Sequence, residues 1–138
     1  MIEVVPFEKD HLDQLVEPSA LLGNLDAIRQ FESISFSGLK EGSVLGCGGV
    51  FPLCEGVGEA WAVFSKMPPK SGRECLFEIK RRLPGFMADV GLHRLQATVL
   101  VKHKDAIRMV RVIGFEFEGL MKAHDSEKND YARYGKVI

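Results

Sequence analysis

The spacing of apolar positions changes along this chain, and the changes divide it into elements. The pattern is sharpest in the last third. Residues 95–101 are rich in Leu, Val and Thr, as strands are. From Asp105 to Ile113 the apolar positions are Ala106, Ile107, Met109, Val110 and Ile113, which paint one face of a short helix. Gly114 ends that helix, because glycine accepts the left-handed cap conformation. Phe115, Phe117 and Met121 then alternate with Glu116, Glu118 and Lys122, the period of a half-buried strand.

The same reading runs from the N-terminus. Residues 2–6 form a strand, and residues 8–16 a helix with Leu12, Leu15 and Val16 on one face. Ser19 caps a second helix reaching to about Phe31, with Leu21, Leu22, Leu25, Ile28 and Phe31 at helical spacing and a break at Gly23-Asn24. Residues 33–39 alternate as a strand, Lys40-Glu41-Gly42 turn, and residues 44–51 return. Gly46, Gly48 and Gly49 weaken that strand and mark a bulge or a close approach of another backbone. Residues 58–65 are almost continuously apolar, as expected of a central strand covered on both faces. A loop with Pro68-Pro69 leads to a long helix burying Cys75, Leu76, Ile79 and Leu83, which Pro84 kinks or splits. Its second piece covers residues 85–90. A polar loop, 125–130, joins the last two strands, the final one being 131–138.

Composition narrows the function classes. The chain has 138 residues, enough for one domain over residues 1–138 with a proper core. A net charge of −1 gives no electrostatic case for binding nucleic acid. No apolar run approaches the ~20 residues that span a bilayer. The N-terminus has no basic segment followed by an apolar core, and the three cysteines form no paired pattern. Together these point to a reducing cytoplasm. Cys47 and Cys54 are seven apart, without metal-ligand spacing, so no metal site is expected.

The order β-α-α-β-β-β-α-β-α-β-β is that of an α/β layer fold around a mixed sheet. The unit of strand, helix with Ala106-Ile107 near its start, and Gly114-Phe115 leading into the last hairpin resembles the C-terminal half of the GCN5-related N-acetyltransferases (GNAT). The element order extends the likeness over the whole chain. It implies a GNAT-like acyl-CoA N-acyltransferase fold: a mostly antiparallel sheet of six to seven strands flanked by about four helices. It also implies acetyl-CoA as co-substrate, a small-molecule or peptide amine as acceptor, and a homodimer as one assembly state.

Carried over residue by residue, the resemblance puts the cofactor where two strands part. Backbone of Phe64 and Ser65 would meet the pantetheine arm. Lys70, Ser71, Gly72, Arg73 and Glu74 would hold the pyrophosphate at the start of the long helix, where free N–H groups and partial positive charge favour anions. Ala106, Ile107 and Val110 would line the cofactor side of the short helix. Glu59 stands where some family members carry a general base, and His103 where a second polar participant sits. Two positions depart from the family. The glycine-rich phosphate loop is reduced to Pro-Pro-Lys-Ser-Gly-Arg-Glu, and Val110 replaces the tyrosine that protonates the departing thiolate. The reduced loop and short chain resemble compact acetyltransferase-like proteins of phages and prophages. The rival reading is therefore an acetyltransferase-like module that has lost catalysis and acts by binding or assembly.

Overall fold

The computed structural model of the chain describes residues 1–23, 28 and 33–138. Its elements are β1 (Glu3–Pro6), α1 (Asp10–Asp13), β2 (Ser19–Leu22), β3 (Ile34–Lys40), β4 (Ser43–Cys54), β5 (Val57–Phe64), α2 (Pro69–Asp89), β6 (Arg94–Leu100), α3 (Lys104–Val112), β7 (Glu116–Met121) and β8 (Tyr131–Val137). Seven strands form one path in the order β1-β3-β4-β5-β6-β8-β7, and β2 pairs with β5 beside it. All described pairings are antiparallel except β5 with β6. The fold class is the one the sequence predicts.

Two cores lie on the two faces of the sheet, which explains why β5 is apolar throughout. On one face α2 and α3 cover Val50, Ala60, Ala62, Leu95, Ala97 and Val99. On the other, Leu12, Leu15 and Ile28 cover Val44, Cys47, Trp61 and Val63. Alternation sets this division: even positions of β5 face α2, odd positions face α1. Burying Met87, Leu95 and Val99 contributes roughly 1.5–3 kcal/mol each. In α3 the buried positions Ala106, Met109 and Val110 continue to Ile113 at the cap, the i, i+3, i+4, i+7 stripe of an amphipathic helix. Glu41 and Gly42 both have positive φ (51° and 81°), so the β3–β4 turn twists with its strands.

Four expectations change. Ser19 starts a strand rather than capping a helix. Ile28 is helical, while residues 24–27 and 29–32 of that predicted helix lie outside the described residues. The first helix shrinks from residues 8–16 to α1. Pro84 does not split α2, which continues through it to Asp89. Its ring sits on the exposed side, so the lost N–H leaves one carbonyl facing water. Phe117 is 58% exposed at the edge strand β7, leaning on Tyr134, while Phe115 takes the buried place.

Beneath α2 the sheet does not fill the space. Gly38, Gly46 and Gly48 leave a shallow floor, and a cleft of about 520 Å³ remains between it and Ile79 and Phe86 of the helix.

Candidate functional site

The site follows from how β5 and β6 part. They pair in parallel only from Val57 to Glu59 against Arg94 to Gln96. Beyond Glu59 the strands diverge, leaving one edge of β5 without β6. In this structure β2 stands in the opening. Ser19 is opposite Phe64, Ala20 opposite Val63 and Leu22 opposite Ala62. The approach to β2 is pinned as well. Val16 donates its N–H to Ser65 Oγ (2.9 Å) and accepts the Lys66 N–H on its carbonyl (2.8 Å). Ser65 also gives its N–H to Leu45 and its hydroxyl to Val44, so its side chain has two backbone partners.

The opposite rim is the start of α3. His103 is its N-cap, with Nδ1 accepting the Ala106 N–H (3.4 Å). An accepting Nδ1 assigns the proton of the neutral ring to Nε2, which lies 3.2 Å from Ser19 Oγ and donates to it. His103 thus ties β2 to α3. Ala106 and Val110 are fully buried beneath this rim, and Ile107 is half-buried. Valine at 110 offers no exchangeable proton.

At the start of α2, Pro68 occupies the cap position without a side-chain cap, and Pro69 is the first helical residue. The first free N–H groups therefore belong to Lys70 and Ser71. Lys70 and Arg73 are exposed, Ser71 is buried and Gly72 half-buried. Glu74 turns away to Lys40 (3.0 Å), whose hydrogen bond holds its carboxyl below the usual range.

Glu59 lies on the other face of the sheet, half-buried. Its Oε1 accepts from Gln96 (3.1 Å) and Arg133 (3.4 Å), and its Oε2 from Thr98 (3.2 Å). The network runs on through Gln96 to Arg94, which grips Glu118 with two hydrogen bonds of 2.8 and 2.5 Å. That grip holds the Glu118 carboxyl below its ordinary value. Sequence reasoning missed these donors and the Arg94–Glu118 pair. The available signal was the polar alternation Arg94, Gln96, Thr98 along β6.

Glu8, Asp10 and His11 bring ligand-type atoms within 4.8 Å of one another at α1. His11 Nδ1, however, is 2.7 Å from Ser37 Oγ. Burial pushes Cys75 up to about 11 and raises Cys47, while Cys54 is exposed. A thiol reagent at neutral pH should titrate one cysteine quickly in the folded protein and all three in urea. Rapid loss of two or three thiols from the folded protein would show that the buried pair is open.

Neither a family model nor a curated protein matches the chain. Solved structures do. A GNAT-family acetyltransferase from Streptococcus pneumoniae superposes with a TM-score of 0.75, covering 100% of both chains at 16% identity. A spermidine N-acetyltransferase variant from Vibrio cholerae gives 0.73 over 99% of this chain and 93% of its own, at 12% identity. A phosphinothricin acetyltransferase from Sinorhizobium meliloti, solved with acetyl-CoA, gives 0.63 over 77% and 61%, at 23% identity. The chain has the GNAT fold. No helix among its described residues is long and apolar enough to cross a membrane.

Proposed function

We propose that a chain with this fold and this parting of strands is an acyl-CoA-dependent N-acyltransferase, taking acetyl-CoA and passing the acyl group to an amine of a small molecule or peptide. The observation that carries the reading is the divergence of β5 from β6 after Glu59, which leaves the edge of β5 at Ala62 to Phe64 without β6 and paired only by the short strand β2. An extended, amide-containing arm is what such an edge binds, by strand-like hydrogen bonds. Phe64 contributes that backbone, and Ser65, whose N–H is held by Leu45, ends the edge. Lys70 and Arg73 supply charge for the pyrophosphate, with the free N–H groups of Lys70 and Ser71 beside them, and Glu74 is held aside by Lys40.

The reaction is direct attack. The amine nitrogen bonds to the thioester carbon, the carbonyl oxygen takes negative charge against backbone N–H donors, the C–S bond breaks and the thiolate leaves. The proton lost by the amine goes to Glu59, directly or through water. Three donors, Gln96, Thr98 and Arg133, keep Glu59 oriented. His103, at the rim, orients polar groups entering there. With Val110 in place the thiolate departs without a dedicated acid.

A second reading has its own support. The occupied edge of β5 and the missing acid both fit a module that has kept the fold and lost the chemistry. Calorimetric titration with acetyl-CoA separates the two. Micromolar binding, weakened by Lys70→Ala and Arg73→Ala, is the expected result. Absence of heat at millimolar acetyl-CoA leaves the binding module. Once an acceptor is in hand, Glu59→Gln should lower kcat/KM by about 10²- to 10⁴-fold while acetyl-CoA affinity stays the same. Unchanged turnover would remove Glu59 from the mechanism.

A further inference from the structure

We propose that residues 16–22 are an autoinhibitory strap, a displaceable segment of the chain that competes with acyl-CoA for the edge of β5. The proposal rests on the acyltransferase reading and adds a regulation to it.

The strap occupies the contested place. Its backbone pairs with Ala62, Val63 and Phe64, the stretch of β5 that β6 has left. Any extended ligand using that edge must first remove β2. The exchange is close to like for like. Backbone hydrogen bonds made by the strap are replaced by those of the arm's amides, so that part of the exchange is close to neutral and the burial of Leu22 is the main cost.

The segment is built to leave. A left-handed residue stands at each end: Glu17 at φ 45° and Gly23 at φ 84°. For Glu17 that conformation is strained, and a swing outward relieves it. The pairing is interrupted by a register shift between Ala20 and Leu22. A strand of four residues with a bulge is held weakly. Val16 is 62% exposed, and Glu17, Pro18 and Ser19 are exposed too. Leu22, at 3% exposure, is the buried anchor. The Glu17–Lys66 ion pair (3.4 Å) lies in solvent, where such pairs contribute little. Upstream, Leu12 and Leu15 are buried in the second core, so α1 holds its place when the strap moves.

The consequence is a tax on affinity. With the competent state populated at fraction f, the apparent dissociation constant is the intrinsic one divided by f. A partner or substrate that captures the released segment would raise f and switch the cleft on.

The test locks and unlocks the strap. Ser19 and Phe64 are cross-strand partners, with Cα atoms at the spacing a disulfide spans. A Ser19→Cys/Phe64→Cys protein in a Cys54→Ser background is titrated with acetyl-CoA oxidised and reduced, with Phe64→Cys alone as control. Ser19→Ala removes the tie to His103 and Leu22→Ala removes the anchor. Hydrogen exchange is followed over residues 16–22 and 62–64 of the wild type. We expect at least tenfold weaker binding when oxidised, recovery on reduction, several-fold tighter binding by Ser19→Ala or Leu22→Ala, and faster exchange in 16–22 at saturating acetyl-CoA while 62–64 stay protected. Equal affinity of the oxidised and reduced forms, or unchanged exchange in 16–22 at saturation, overturns the strap and leaves the acyltransferase standing. No binding by the wild type, the reduced pair or Leu22→Ala overturns both, and β2 is then a permanent strand.

Discussion

Replacing Trp61 with alanine should lower stability by about 3–5 kcal/mol, the largest loss expected of any single truncation in this chain. Trp61 is 2% exposed at the centre of the second core. It meets the Phe7 ring edge-on at 5.4 Å and the Phe51 ring at 6.3 Å, and its Nε1 donates to Ser33 Oγ (3.2 Å). Gly23 crosses directly over it, since a Cβ there would lie 3.1 Å from the Trp61 Cβ. Truncation would thus empty the core beneath α1 and loosen the end of the strap together. Domains of this size hold about 5–15 kcal/mol in all, so the variant should sit near the edge of folding. Urea unfolding followed by circular dichroism measures it, because the only tryptophan is the one removed. Trp61→Phe, which keeps a ring and loses the hydrogen bond, should cost clearly less. A loss under 1 kcal/mol for the alanine variant would mean that this core is held elsewhere.

Gly49→Ala is the second large effect, and it comes from backbone. Gly49 pairs with Ser35 across β3 and β4. A Cβ at 49 would stand 2.5 Å from the Ile34 carbonyl oxygen, 2.5 Å from the Ser35 Cβ and 2.8 Å from the Ser35 Cα. A main chain cannot step aside as a side chain can, so the hairpin must shift. Overpacking of this kind costs about 1–3 kcal/mol. Gly85→Ala in α2 should act with the opposite sign. Nothing lies within 4 Å of the added methyl, and alanine in a helix gains about 0.5–1 kcal/mol over glycine. Melting temperatures of the two variants should move apart around the wild type. A neutral Gly49→Ala would show that the β3–β4 hairpin gives more than its register suggests.

The glycine-rich strand was legible in the sequence in kind: glycines in a strand imply a close approach, and Gly49 has one. The central strand was legible too, since an unbroken apolar run needs cover on both faces, and β5 has it. Ser19 was not. Serine ahead of Leu21, Leu22, Leu25 and Ile28 is a sound helix start by local rules. What overrides it is an unpaired strand edge more than forty residues away, at Ala62 to Phe64. Pro84 does not split α2, because packing of the helix on both sides of it, through Ile79, Leu83, Phe86 and Met87, outweighs the one hydrogen bond that the ring removes. Glu59 lies on the central strand, as its place in the apolar run predicts. Its donors Gln96, Thr98 and Arg133 come from two other strands, and no local pattern joins them. Lys70 to Arg73 fell at the helix start as expected, while Glu74 was claimed by Lys40, a partner thirty-four residues away.

The cleft beneath α2 gives the molecule a mechanical character of its own. A space of about 520 Å³, floored by glycines and open to solvent, parts the helix from the strands along one seam. Packing across that seam is thin, so α2 should give first under load while the β6–β8–β7 side keeps its form. The molecule is soft along one seam and stiff across the rest.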